Sequence, residues 1–115
     1  MAETTIDFAT FEALQQTTGA EFAGELVDTF LAEAPRMLDD LRSALAAGDA
    51  DRFRRAAHSL KSNSNTFGAR TLGAMARDLE LGGLEPVRRA NAQPLDALAQ
   101  EYAQVAAELT VLRNA

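Results

Sequence analysis

The pair Gly48-Asp49 lies between two long stretches of helical periodicity, and no other feature restricts the fold as much. Glycine readily takes the left-handed conformation that ends a helix, and aspartate is a good N-cap for the next one. With no residues to spare between stop and start, the two helices must double back and run antiparallel. Upstream, from Ala20 or Glu21 to Ala47, Phe22, Leu26, Phe30, Met37, Leu41 and Leu45 fall broadly on one side, and Val27, Leu31, Ala34 and Leu38 widen that stripe. Pro35 lies inside the run and is predicted to kink it. Downstream, a third helix is predicted from Ala50 to about Asn65 or Phe67.

The remaining segments carry the same period. Asp7 is a good N-cap for a short first helix through Phe8, Phe11 and Leu14, which stops at Thr17-Thr18-Gly19. A fourth helix fits Ala69 to Leu81, with Leu72, Met75, Ala76 and Leu79 facing inward and Gly82-Gly83 ending it. A last helix from about Pro94 to Arg113 aligns Leu95, Leu98, Tyr102, Val105, Leu109 and Leu112. Between them, Leu84 to Gln93 is ambiguous, because Pro86 and Pro94 each permit a helix start. Hydrophobic residues reach 47% while aromatics are only 6%, a balance that favours packed helices over sheet. The expectation is a single all-α domain spanning residues 1–115, an antiparallel four-helix bundle with a short additional N-terminal helix.

Several function classes are excluded at once. The chain has no cysteine, so neither a disulfide framework nor a thiolate metal site can form. MAETTIDFATF lacks the basic start and apolar run of a signal peptide, and no apolar segment approaches the roughly 18 residues that cross a bilayer. A soluble, cytoplasmic, monomeric protein is expected. The formal net charge is −6, yet between Arg52 and Arg77 stand six cations (Arg52, Arg54, Arg55, Lys61, Arg70 and Arg77) and no acid, which leaves −12 for the rest of the chain. Binding of nucleic acid through that segment is disfavoured by the overall charge and by the lack of aromatic residues among the cations.

The only histidine, His58, stands inside this basic segment. At about 100° per residue, Phe53, Ala56, Ala57, Leu60, Ser64 and Phe67 fall within roughly 60° of one direction, which must be the core. His58 falls roughly 140° from Phe53, flanked by Asp51, Arg54, Lys61, Ser62 and Asn65, and is predicted to face solvent. A metal site is disfavoured, since there is no second histidine and the neighbours on that face are cationic. A Ser-His-Asp arrangement is equally weak, because Ser59 and Ser62 are helical and nothing supplies an oxyanion hole. What remains for an exposed imidazole beside lysine and arginine is attack on an anion, and phosphoryl is the obvious one. Imidazole offers a neutral nucleophilic nitrogen near neutral pH, and phosphoryl transfer needs mainly in-line positioning and cations against the equatorial oxygens. Lys61, three residues on, is placed to reach such a group, and Ser62, four residues on, is small enough for a partner to approach.

The run Ala57-His58-Ser59-Leu60-Lys61-Ser62, continued by Phe67-Gly68-Ala69, resembles the motif of the histidine-containing phosphotransfer (HPt) domains of multistep two-component signalling. Phe30-Leu31, Pro35, Leu38, Leu41 and Asp49 extend the resemblance, which covers nearly the whole chain and is weakest from Gly82 to Gln93. Ser62 departs from the glycine usual in the family. The resemblance implies that His58 accepts a phosphoryl group from the aspartyl phosphate of one receiver domain and passes it to another. Those receivers belong to response regulators or hybrid histidine kinases. It implies further that Lys61 stabilises the phosphoryl oxygens and that Gly68 permits close packing of the third helix. No cofactor would be bound intrinsically, the Mg²⁺ being the receiver's. On the face shared with His58, Arg54, Arg55, Ser62 and Asn65 would border the docked partner. With no glycine-rich phosphate loop, ATP-dependent kinase activity is not expected. A free-standing relay protein is suggested, although an excised domain of a hybrid kinase would look the same, and a helical adaptor that binds a protein partner without being phosphorylated is the alternative function.

Overall fold

A computed structural model describes residues 5–115. Six helices follow one another: α1 (Phe8–Thr18), α2 (Ala20–Ala47), α3 (Ala50–Thr66), α4 (Arg70–Gly82), α5 (Leu84–Arg89) and α6 (Gln93–Asn114). The four long ones, α2, α3, α4 and α6, close a ring in which each packs on two neighbours, while α1 lies against α2 and α3. This is the expected four-helix bundle with its added N-terminal helix. The ambiguous stretch after Gly83 resolves into the six-residue α5, which tucks Leu84 and Val87 under the bundle and leads into α6.

The boundaries follow their caps. Gly48 takes the left-handed conformation at φ 69° and ends α2, and Asp49 caps α3 by accepting from the Arg52 N–H at 3.1 Å. Asp7 caps α1 through the Thr10 N–H and hydroxyl. The helix α2 runs unbroken through Pro35. Proline has no N–H to give to the carbonyl one turn back, Leu31. That carbonyl instead accepts from the Tyr102 hydroxyl of α6 at 3.4 Å. Tyr102 is thus held on the bundle by the proline's missing donor.

Phe11, Val27, Phe30, Leu41, Phe53, Leu60, Leu72, Leu98, Val105 and Leu109 meet in one core. Two residues expected on inner stripes point outward, Phe8 at 58% and Phe22 at 50% exposure. At that end of α2 the buried positions are Ala23 and Gly24, and the Arg113 side chain of α6 lies across Gly24 and pairs with Asp28 at 2.6 Å. The small residues admit α6, and Phe22 is turned away from it.

Candidate functional site

Helix α3 carries two faces of different character. Phe53, Ala57, Leu60 and Ser64 are fully buried and Phe67 nearly so, which fixes the rotation of the helix about its axis. His58 is consequently exposed, with 57% of its side chain open to solvent, and Ser62 and Asn65 are exposed on the same side. The rotation read from the sequence is therefore the one adopted, except that Ala56 is only half buried.

Helix α4 runs antiparallel beside α3 in a register set by small residues. Asn65 lies over Gly73, where a Cβ would come within 2.9 Å of its Cγ, so the two helices approach there as only glycine allows. Seven residues before Asn65 is His58, and seven after Gly73 is Glu80, and this second pair also meets across the helices. Gly68, expected to ease the packing of α3 on its neighbour, serves a different contact. It turns the chain between α3 and α4 at φ +83°, and a Cβ there would sit 2.7 Å from the Asp7 carbonyl oxygen. Its carbonyl accepts from the Asp7 N–H at 2.8 Å, and Arg70 reaches Asp7 at 3.1 Å, strapping the start of α1 across the α3–α4 turn.

The Glu80 carboxylate joins the two candidate functional side chains. Its Oε2 lies 2.7 Å from His58 Nδ1 and its Oε1 lies 2.8 Å from Lys61 Nζ, with only 15% of the Glu80 side chain exposed. The ammonium meets Oε1 at ion-pair distance but outside hydrogen-bond alignment, so that contact is one of charge more than direction. The Lys61 ammonium and, after it, the His58 ring hold the Glu80 carboxyl below the usual 4.5 against the opposing effect of its partial burial. An ionised carboxylate can only accept, so Nδ1 of His58 is the donor. Nε2 then carries the lone pair of the neutral ring, and among the described residues nothing bonds to it.

Glu80 was not among the residues singled out in the sequence, and neither was Gly73. The basic segment also changes in space. Arg52 pairs with Asp40 at 2.7 Å, Arg54 and Arg55 with Asp51 at 2.7 and 3.1 Å, Lys61 with Glu80 and Arg70 with Asp7. Of the six cations, Arg77 alone has no ion pair among the described residues. Asp51 and Glu80 stand just outside the acid-free stretch and Asp40 and Asp7 come from farther up the chain, so the segregation seen along the chain is largely neutralised on the surface. Beside His58, Met37, Asp40, Arg52, Arg55, Ala56 and Ser59 line an open cleft of about 440 Å³ between α2 and α3. No group of three or more metal-ligating side chains occurs among the described residues, and none of their helices is long and apolar enough to cross a membrane.

Known proteins carry the same architecture. The crystal structure of histidine-containing phosphotransfer protein B (HptB) from Pseudomonas aeruginosa PAO1 is similar at a TM-score of 0.82 and 29% identity, over 98% of this chain and 97% of that one. No curated protein sequence matches significantly. The Hpt domain profile matches residues 25–115, from the first turns of α2 to the end of α6, and so takes in His58, Lys61 and Glu80 with the helices that position them. This chain belongs to the Hpt domain family.

Proposed function

We propose that His58 is the phosphoryl acceptor through which this chain performs the histidine phosphotransfer that its family contributes to phosphorelay signalling. The observation that carries the reading is the anchoring of Nδ1 by Glu80, which leaves Nε2 as the nucleophilic nitrogen of an exposed ring. A receiver domain brings an aspartyl phosphate in line with Nε2. The new Nε2–P bond forms as the P–O bond to the aspartate breaks, and the electron pair leaves with the carboxylate. Lys61 shares Glu80 with His58, so its ammonium waits beside the imidazole and can turn to the phosphoryl oxygens. The Mg²⁺ belongs to the receiver. Transfer to a second receiver reverses the same steps, which gives the chain the place of an intermediate between two aspartates.

Ser62 and Asn65 continue the exposed face beyond His58, and Arg54 and Arg55 border it on the other side. Both arginines are tied to Asp51, so they present a partly neutralised rim to a receiver's acidic pocket. Arg77, on the α4 side, is the cation left to steer that pocket. The test mixes the protein with phosphorylated receiver domains and follows acid-labile label. Wild type is expected to take up label, and His58→Gln to take up none while melting as wild type does. Label that persists in His58→Gln would overturn the assignment.

A further inference from the structure

We infer that the groove between α4 and α6 is a second docking surface, built for an amphipathic helix of a protein partner that carries an aliphatic stripe with lysine or arginine on either side. The groove holds about 250 Å³ and is lined by Met75, Asp78 and Leu79 of α4 and by Pro94 and Ala97 of α6. It opens on the far side of α4 from His58: at about 100° per residue, Asp78 leaves the helix about 200° from Glu80, and Met75 about 140°. A helix seated there leaves the imidazole open to a receiver.

Of the four seams of the bundle, this one is the least closely packed. The other three are tied by polar side chains. Arg52 and Asp40 join α2 to α3, Glu80 joins α4 to His58 and Lys61 of α3, and Arg42–Asp96, Arg113–Asp28 and the Tyr102 hydroxyl join α2 to α6. Among the described residues no hydrogen bond or ion pair crosses from α4 to α6, and the seam is left with an apolar floor of Met75, Leu79, Pro94 and Ala97. Leu81 and Val111, the two most exposed large apolar side chains of the described residues, extend that surface. Leu81 stands one turn after Asp78, and Val111 two heptads after Ala97 on the same flank of α6.

Charge selects the occupant. The acids at the other seams, Asp28, Asp40, Glu80 and Asp96, each have a cation. Asp78 has none among the described residues, and neither has Glu101, which lies half-buried one turn beyond Ala97. Burial raises the Glu101 carboxyl above the usual 4.5, with no cation set against it. An aliphatic side chain on the floor, with a basic residue to each side, meets the apolar surface and both carboxylates together. The same acids repel phosphate, which disfavours nucleic acid and anionic lipid as occupants. A partner held in this way stays attached while His58 exchanges phosphoryl with receivers, and the groove itself does not depend on His58 being the acceptor.

The ¹⁵N-labelled full chain is titrated with a synthetic leucine–lysine peptide of about 15 residues, roughly four turns of helix, whose leucines form one stripe. Two controls are the same residues shuffled so that no stripe forms, and the striped peptide with glutamate in place of lysine. The striped basic peptide is expected to shift the amides of Met75, Asp78, Ala97 and Glu101 and not that of His58, which phosphoramidate still labels at the rate of the free chain. Ala97→Tyr, which fills the groove from an exposed position, should abolish this binding, and Asp78→Asn combined with Glu101→Gln should weaken it about tenfold. The same two acid substitutions should not lower the melting temperature of the free chain, because neither carboxylate has a partner there to lose. Equal binding by either control, shifts scattered over the acidic surface or centred on His58, unchanged binding by Ala97→Tyr, or no binding at all would overturn the inference. So would a wild-type dimer in sedimentation that Ala97→Tyr separates, since the groove would then belong to a second copy of this chain.

Discussion

The two sides of α3 are made from one helix and answer to different demands. On the inner side Phe53, Ala57, Leu60 and Ser64 have no exposed surface, and their work is to fill space. On the outer side His58 and Ser62 are exposed, and the chemistry depends on what reaches them from solvent and on one carboxylate supplied by α4. The inner side fixes the rotation of the helix and so turns His58 outward, and the register between α3 and α4 then brings Glu80 beside it. Stability and function are therefore separable by substitution on a single helix, although the first positions the second. Ser64 qualifies this picture, since its hydroxyl is buried with no hydrogen-bond partner among the described residues, which costs stability where its apolar neighbours add to it.

The comparison breaks most visibly at Phe53, which is fully buried at the start of α3. Phe53→Ala removes a large core side chain and leaves a cavity, and is expected to cost about 3–5 kcal/mol. Against a typical total of about 5–15 kcal/mol, that is a large share. Chemical denaturation checks it, and a loss well under that range would mean that the core around α3 collapses to fill the space. The fraction that remains folded should still accept phosphoryl.

On the outer side the expected pattern is reversed. Lys61→Ala takes a cation from the phosphoryl group and should slow transfer by about tenfold to a thousandfold, in line with other preorganised electrostatic groups. Its melting should change less than its transfer rate, because the ammonium makes only the charge contact to Glu80, whose other oxygen stays bonded to His58. Single-turnover transfer from a phosphorylated receiver measures the effect. An unchanged rate would assign Lys61 to balancing Glu80 and nothing more.

The helices were legible in the sequence because their ends are. Asp7, Gly48, Asp49 and Gly83 are residues whose side chains or backbone freedom stop and start helices locally, without help from the rest of the fold. The outward direction of His58 was legible too, since it follows from the spacing of Phe53, Ala57, Leu60 and Phe67 within one helix. Glu80 was not, because its meeting with His58 depends on the register between α3 and α4. That register is signalled only by the equal seven-residue spacings from Asn65 back to His58 and from Gly73 on to Glu80. The pairing of the arginines was hidden for a similar reason. A run free of acids along the chain says nothing of the aspartates that a neighbouring turn or helix brings beside it, as Asp40 of α2 is brought to Arg52. Phe22 misled because the period of α2 continues past the point where Gly24 admits α6.

The smallest effect on stability, and the sharpest test of the outer side, is expected at Ser62. It is exposed one turn beyond His58. Its own carbonyl is engaged by the Thr66 hydroxyl at 3.0 Å, so the backbone there is firmly helical and a new side chain would project from a fixed point. Ser62→Gly should be tolerated, with a helix cost of a few tenths of a kcal/mol, about 0.5 or less relative to serine. Ser62→Tyr should fold as well as wild type, because the ring extends into water on the isolated bundle. It would occupy the space that a receiver must enter to bring its aspartate in line with Nε2. Transfer from a phosphorylated receiver should then be impaired in Ser62→Tyr while phosphoramidate, which needs no docking surface, still labels His58. If Ser62→Tyr exchanges phosphoryl with a receiver at the wild-type rate, the receiver approaches from the other side of His58, over Arg54, Arg55 and the cleft between α2 and α3.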